Sequence, residues 1–174
     1  TNLHPKLKSI YDKFPQDINK LKNLIFYGPA GIGKYTQVLS AIKKYSPSEL
    51  KYETKISINL NKNIYYFKIS DIHYEIDMAM LGCNPKSLWH EIFFQIVDIV
   101  SVKPNKTGII VCKNFHMIYN ELLDVFNSYV RHPFYNIHIK FVLLTEQTSF
   151  IPESLIKNFM MIPVKRPTVE NHIN

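Results

Sequence analysis

One loop, at residues 28–34, constrains the fold of this chain more than any other feature of the sequence. It reads Gly-Pro-Ala-Gly-Ile-Gly-Lys, follows a short apolar run at 24–27, and precedes a segment at 34–45 whose apolar residues recur at helical spacing. Glycines let the backbone turn tightly and direct its N–H groups at phosphate oxygens. The helix that follows points its positive end at the same anion, and the lysine adds a full charge. The sequence therefore predicts a phosphate-binding loop between a strand and a helix.

The residue after the lysine departs from the usual form of such a loop. A Ser or Thr is expected there, because its hydroxyl holds Mg²⁺ beside the phosphates, but this chain has Tyr35 followed by Thr36. A phenol cannot occupy the space of a small hydroxyl, and successive helix residues point about 100° apart, so Thr36 cannot simply replace it. We expect Thr36 to contact an inner phosphate through its hydroxyl or N–H, which keeps phosphate binding and leaves magnesium binding open. The residues predicted here to bind a nucleotide are Gly28, Pro29, Ala30, Gly31, Ile32, Gly33, Lys34, Tyr35 and Thr36.

Strand-like and helix-like segments alternate along the rest of the chain. Strands are predicted at 24–27, 54–60, 64–69, 74–78, 108–112, 137–145 and 160–164, with Asn61-Lys62-Asn63 as the turn of a hairpin. Helices are predicted before Pro15, at 34–45, from an N-cap at Ser87, from a cap at Asn120, and after Pro152. This order predicts an α/β domain with a mainly parallel five-stranded sheet, helices on both faces and a β-hairpin insertion.

Composition excludes some classes of function and leaves others open. No apolar run reaches the roughly 18 residues that span a bilayer, and the first residues lack a secretory pattern. The net charge of +7 suits an anionic partner such as nucleic acid, although the lysines are scattered as on many solvated surfaces. Cys83 and Cys112 form no Cys-x-x-Cys pair or Cys/His cluster, so no zinc site is predicted. A disulfide between them stays open, and a reducing intracellular compartment is favoured.

Several segments in the same order resemble one known family. Asn23-Leu24-Ile25-Phe26-Tyr27 and the loop that follows, the order Lys34-Tyr35-Thr36, and His4-Pro5 upstream are similar to the clamp-loader subunits of AAA+ ATPases, the replication factor C small-subunit family. The stretch 145–156, with Ile-Pro-Glu at 151–153, resembles that family's segment from the first sensor to the trans-acting arginine motif. The similarity covers most of the chain, but only the loop is highly specific.

The resemblance implies a P-loop NTPase domain of the AAA+ RecA-like type that binds ATP or ADP. It implies an approach segment at 1–22, the nucleotide-binding domain at 23–165 and the start of a lid at 166–174. The rest of the lid and the collar domain of that family would then be missing, as expected if the sequence, which begins without Met, is a fragment. Thr145 stands at the first-sensor position, where it would contact a terminal phosphate. Other clamp-loader subunits, a sliding clamp and DNA would be the partners, with no membrane contact. The location would be nuclear, or a viral or cytoplasmic replication compartment.

The catalytic positions of that family carry other residues in this chain. An Asp that helps to hold Mg²⁺ and a Glu that orients water should follow the strand at 108–112, but Lys113 and Asn114 stand there and His116 replaces a further acid. An amide cannot act as a general base. The arginine finger aligns with Asn158, and the adjacent Lys157 lacks the planar fork of Arg. We therefore predict no catalytic residue and no metal ligand.

Three functions are compatible with these observations. The first is a clamp-loader-like subunit that binds nucleotide with weak or no hydrolysis and acts through partner subunits. The second is an independent P-loop nucleotide kinase, which the chain's two arginines, Arg131 and Arg166, disfavour because phosphoryl transfer needs a charged lid. The third is a scaffold module that no longer binds nucleotide.

Three other features have two interpretations each. Asp77 either approaches the loop or, more simply, caps a turn. Tyr65-Tyr66-Phe67 either stacks nucleic-acid bases or packs into a strand core. Trp89, Phe93 and Phe94 are expected in the core or in a subunit interface rather than on a stacking platform.

Overall fold

A computed structural model of the chain describes residues 4–60, 62–82, 84–132 and 134–167. Within these ranges the helices are α1 (Pro5–Asp12), α2 (Lys34–Ile42), α3 (Pro85–Ser101), α4 (Asn120–Val130) and α5 (Glu153–Ile156). The strands are β1 (Asn23–Tyr27), β2 (Glu53–Leu60), β3 (Asn63–Ser70), β4 (His73–Asp77), β5 (Thr107–Lys113), β6 (His138–Thr145) and β7 (Phe159–Pro163). Cys83, the turn residue Asn61 and most of the expected lid segment lie outside the described residues, so the lid stays a prediction.

The described strands form one seven-stranded sheet in the order β2-β3-β4-β5-β6-β1-β7. The five strands from β4 to β7 in that order pair in parallel, which confirms the predicted α/β class with its five-stranded parallel sheet. The predicted hairpin is β2–β3, and β3 pairs antiparallel with β4, so the insertion extends the same sheet. Because β1 lies between β6 and β7, the loop after β1 meets the carboxyl ends of its neighbours at one edge of the sheet.

Helices cover both faces of the sheet, and the side chains of alternate residues in the central strands pack against opposite helical layers. In β5, Ile110 and Cys112 face the layer that contains α3 and α4, whereas Ile109 and Val111 face the layer that contains α1 and α2. This follows from the two-residue period of a strand. Cys112 is completely buried, which raises the pKa of its thiol, and its sulfur is free.

The aromatic side chains of α3 belong to the core. Trp89 is completely buried and stacks on Phe93 with 6.3 Å between the ring centroids, and it also contacts Phe126 of α4. In β3, Phe67 is buried and Tyr65 packs against the same core, while Tyr66 is 68% exposed. No described helix combines the length and apolar character needed to cross a bilayer.

Two helix starts differ from the sequence prediction. The predicted N-cap Ser87 lies inside α3, which begins at Pro85 after the N-cap residue Asn84. A proline suits the first helical position, because its fixed φ is already helical and the N–H it lacks would have no partner there. Asn120, also predicted as a cap, is the first residue of α4, and Tyr119 precedes it as the N-cap residue.

Gly28 lies where the backbone of β7 leaves the sheet beside β1. Its N–H donates to the Thr145 carbonyl at 3.2 Å, and the Val164 N–H donates to the Tyr27 carbonyl at 2.8 Å. A Cβ atom at Gly28 would lie 2.1 Å from the Val164 carbonyl oxygen and 2.9 Å from Cδ1 of Ile32. The close approach of two backbone segments therefore requires glycine at this position.

We expect Gly28→Ala to lower the free energy of unfolding by about 3 kcal/mol, the upper end of the usual cost of overpacking. Gly31→Ala is the matched control, because a Cβ at Gly31 meets nothing within 4 Å and its φ of +74° costs only about 1 kcal/mol. Urea unfolding followed by circular dichroism measures both values. Equal losses in the two variants would contradict the close approach.

Candidate phosphate-binding site

The loop at 28–34 connects β1 to α2, as the sequence predicts. Gly33, the N-cap residue of α2, has a left-handed φ of +88° and, as a glycine, offers no side chain to cap the first N–H groups of that helix. Pro29, Ala30, Gly31 and Gly33 are exposed, whereas Ile32 is buried in the core between α1 and α2. The loop is thus anchored by one apolar side chain and is otherwise open to an anion at the positive end of a helix.

The Lys34 ammonium lies across this loop. Nζ donates to the carbonyl oxygens of Gly28 at 2.7 Å and of Pro29 at 2.6 Å. Burial lowers the pKa of Lys34, and the nearby Glu146 carboxylate offsets part of that effect. The geometry places one ammonium donor at the mouth of the loop, within reach of an anion that binds there.

The N-terminal segment holds the loop from the other side. Nε2 of the buried His4 is 2.8 Å from the Ile32 carbonyl oxygen, to which it donates. In α1, the Tyr11 hydroxyl donates to Oε1 of Gln37 in α2 at 3.0 Å. His4, which the sequence marked only through a family resemblance, therefore supports the backbone of the loop directly.

Two clefts flank the loop and meet at Gly33. The sheet-side cleft has a volume of about 310 Å³ and is lined by Ala30, Gly31, Gly33, Lys34, Tyr35, Lys113, Asn114, His116, Leu144 and Glu146. The helix-side cleft has a volume of about 590 Å³ and is lined by His4, Lys8, Tyr11, Asp12, Ile32, Gly33, Thr36, Gln37, Ser40 and Lys43. Tyr35 and Thr36 lie in different clefts, as their angular separation on a helix requires.

Tyr35 reaches from the first turn of α2 to strand β4. Its hydroxyl donates to Oε2 of Glu75 at 2.6 Å, and the ammonium of Lys68 donates to the phenol oxygen at 3.3 Å. Burial raises the pKa of Tyr35 to about 12, and the Glu75 carboxylate adds to this shift. The phenol therefore stays protonated and acts as a donor to a buried carboxylate.

A chain of hydrogen bonds continues along β4. The Ser70 hydroxyl oxygen accepts from the N–H groups of Ile72 and His73 and is hydrogen-bonded to Nδ1 of the His73 ring. The ring donates from Nε2 to Oε2 of Glu75 at 2.8 Å. Burial raises the pKa of Glu75, but hydrogen bonds from His73 and Tyr35 outweigh it, so this pKa lies below its usual value. Glu75 is an ionised carboxylate whose donors come from the protein itself.

This chain of contacts was not predicted from the sequence. Its signal was the placement of His73 and Glu75 two residues apart, alternating with Tyr74 and Ile76, which puts both side chains on one face of a strand. A buried polar pair of this kind requires partners, because an unpaired buried polar group is costly. The partner, Tyr35, is 40 residues away in the sequence.

The positions of the expected acidic motif form a different polar cluster. Lys113 ends β5 in the sheet-side cleft, and its Nζ is 4.0 Å from Oε1 of Glu75. Asn114 has a left-handed φ of +54° and donates from Nδ2 to Oδ1 of Asp77 at 2.9 Å. Asp77 also accepts the Ala79 N–H at 3.0 Å, as a cap of the turn that follows β4. This carboxylate is therefore engaged by protein donors.

The first-sensor position presents a different side chain to the cleft from the one expected. Thr145 is completely buried, and its hydroxyl donates to the Gln147 carbonyl at 2.7 Å, so it does not line the cleft. Its neighbour Glu146 does, and its N–H donates to Nδ1 of His116 at 3.3 Å. At the position of the arginine finger, the Asn158 amide donates to Asn127 at 2.9 Å within the same chain.

A Glu75→Gln variant tests whether the Tyr35 and His73 hydrogen bonds stabilise an ionised carboxylate. A group whose pKa is lowered by folding stabilises the protein above its unfolded pKa, and this contribution is lost as the pH falls through the folded pKa. The difference in free energy of unfolding between wild type and variant should therefore be largest above pH 4.5, the usual carboxyl value, and shrink below it. Urea unfolding across this pH range measures the difference.

Tyr35→Phe is the matched background for this experiment, because it removes only the hydroxyl that donates to Glu75. The pH dependence of the Glu75→Gln effect should be weaker in that background. An identical pH profile with and without the phenol hydroxyl would show that the Tyr35–Glu75 contact does not stabilise the carboxylate.

Comparison with known proteins gives a fold and no more. No protein-family model matches the sequence, and no curated protein matches it. Among solved structures, C. elegans PCH-2 superposes with a TM-score of 0.53 and 12% identity over 97% of this chain. A variant of Thermotoga maritima RuvB gives 0.55 and 14% identity over 94% of this chain. The chain spans 44% of each of these structures. Both are AAA+ P-loop ATPases, and this chain has their fold.

Proposed function

We propose that this chain binds ATP or ADP at the 28–34 loop and does not hydrolyse it effectively. The observation that carries the proposal is the loop itself, an exposed backbone turn before the uncapped start of α2 with the Lys34 ammonium across its mouth. Backbone N–H groups, a helix N-terminus and one ammonium converge there, and together they suit a phosphate chain.

The two clefts support an extended ligand. The terminal phosphates would lie in the sheet-side cleft beside Lys34, and the helix-side cleft, about 590 Å³, has room for the nucleoside. Thr36 is exposed at the junction with the helix-side cleft, where its hydroxyl would contact an inner phosphate. Backbone groups would contact the phosphates at the exposed loop residues Pro29, Ala30, Gly31 and Gly33. The buried Ile32 side chain and the close packing at Gly28 would hold the loop backbone in place. Thr145 would contribute indirectly, because its hydroxyl donates to the Gln147 carbonyl and so stabilises the turn that places Glu146 in the sheet-side cleft.

Weak hydrolysis follows from the side chains at the expected catalytic positions. Asn114 cannot accept a proton from water, and Lys113 places positive charge beside the cleft where an acid would hold a metal ion. The amide at Asn158 replaces an arginine finger, which is worth roughly 10³ to 10⁵ in rate. This subunit would therefore neither hydrolyse ATP effectively nor complete the site of a neighbouring subunit.

The clamp-loader role is part of the proposal and rests on the resemblance at 23–34 and 145–156. The AAA+ fold, which usually assembles into oligomers, and the net charge of +7 are compatible with partner subunits, a sliding clamp and DNA in a replication compartment. A nucleotide kinase is less well supported, because no arginine lines either cleft among the described residues. A scaffold without nucleotide does not account for the open loop and its lysine.

Isothermal titration calorimetry with ATP and with ADP tests nucleotide binding. We expect wild type to bind at least one of the two, and Lys34→Ala to abolish that binding because it removes the ammonium at the loop. Lys86→Ala is the charge-matched control, since Lys86 is exposed on α3 and lines neither cleft. A folded wild-type protein that binds neither nucleotide would favour the scaffold alternative.

Turnover is tested separately by phosphate release from ATP in the presence of Mg²⁺. We expect a rate near the uncatalysed background, because a general base and an arginine finger are both missing from the described site. A coupled assay with nucleoside monophosphates should also show no phosphoryl transfer. Rapid Mg²⁺-dependent turnover that Lys34→Ala removes would contradict the proposal.

A further inference from the structure

Resting on the proposed function, we propose that the sheet-side cleft binds a nucleoside triphosphate in its metal-free form. In this arrangement the Lys113 ammonium supplies positive charge that a magnesium ion supplies in related loops. The proposal depends on three features of the cleft: the orientation of Tyr35, the engagement of the nearby carboxylates, and the location of Lys113.

Tyr35 stands at the position where a Ser or Thr would bind magnesium, and its oxygen already has hydrogen-bond partners within the protein. The Tyr35 hydroxyl donates a hydrogen bond to Oε2 of Glu75 at 2.6 Å and accepts one from the Lys68 ammonium at 3.3 Å. The phenol oxygen therefore has a donor partner on β3 and an acceptor partner on β4. A pKa raised to about 12 keeps it neutral, so it does not become an anionic ligand.

The carboxylates near the loop are also committed or isolated. Glu75 is buried and accepts from Tyr35 and His73 at Oε2, and Asp77 accepts from Asn114 and the Ala79 N–H at Oδ1. No group of three or more His, Cys, Asp or Glu side chains suited to a metal ion occurs among the described residues. Glu146 lines the cleft as a single carboxylate, and it lies beside His116 and the Lys34 ammonium.

Lys113 is the second lysine in the lining of this cleft. Its side chain is 38% exposed at the carboxyl end of β5 and lines the same cleft as Lys34. Nζ lies 5.1 Å from the centroid of the Tyr35 ring, close enough for a cation–π contact, and 4.0 Å from Oε1 of Glu75. The Tyr35 hydroxyl is thus directed at Glu75, and the Tyr35 ring lies beside the Lys113 ammonium.

The charges in the cleft then favour the metal-free ligand. Two ammonium groups, from Lys34 and Lys113, line the cleft with the single carboxylate of Glu146, and the resulting net positive charge repels a divalent cation and attracts the phosphates. The Lys68 ammonium is not a third, since it forms an ion pair with Glu53 at 2.6 Å. A triphosphate without Mg²⁺ lacks two positive charges, and Lys113 restores one of them at the position where the ion would bind.

The experiment is calorimetric titration of ATP into the protein at constant ionic strength, once with EDTA and once with excess Mg²⁺. We expect wild type to bind ATP in EDTA at least as tightly as in Mg²⁺, because Mg²⁺ withdraws the metal-free nucleotide from solution. Lys113→Met should weaken binding in EDTA by at least about tenfold, the effect of one charged hydrogen bond. Lys113→Arg should retain most of the affinity, and Lys86→Met should have no effect.

The outcomes separate this inference from the proposed function. ATP binding that occurs only with Mg²⁺, or that Lys113→Met leaves unchanged in EDTA, would overturn the role of Lys113 while nucleotide binding stands. Absence of ATP and ADP binding in every buffer would overturn both. The comparison of buffers uses wild type alone, so it remains decisive even if Lys113→Met does not fold.

Discussion

The placement of β1 between two parallel neighbours is the constraint on which the site depends. The Gly28 N–H donates to the end of β6, and the Tyr27 carbonyl accepts from the residue that follows β7, so both sides of the loop entrance are fixed. The approach is close enough that a Cβ at Gly28 would collide with the Val164 carbonyl oxygen. A loop held in this way has little conformational freedom at its start, which leaves its exposed portion to face a ligand.

The polar interior beside this loop is organised around one carboxylate. Glu75 draws together the first turn of α2, strand β4 and the end of β5 through Tyr35, His73 and Lys113. Buried charges are retained only where donors satisfy them, and here the donors are protein groups. The side chains at the expected positions of the magnesium ligands are thus a neutral phenol and an ammonium.

The residues at the expected catalytic positions are connected through neighbouring carboxylates. A phenol, a lysine and an amide stand where a small hydroxyl and two acids are expected, and two of the three contact Glu75. The third, Asn114, donates to Oδ1 of Asp77. Phosphate affinity and catalysis are separable in such a site, because the loop amides and Lys34 would bind an anion without activating water.

The sequence by itself determined the loop, the order of strands and helices, and the parallel five-stranded sheet. These features are encoded in short contiguous stretches, by glycine and lysine spacing at 28–34 and by apolar periodicity elsewhere. The direction of the Tyr35 phenol, the burial of the Thr145 hydroxyl and the exposure of Glu146 were decided only by the tertiary structure. Each depends on which strands become neighbours and in what register. That arrangement brings together side chains as far apart in sequence as Tyr35 and Glu75, and local periodicity carries no record of it.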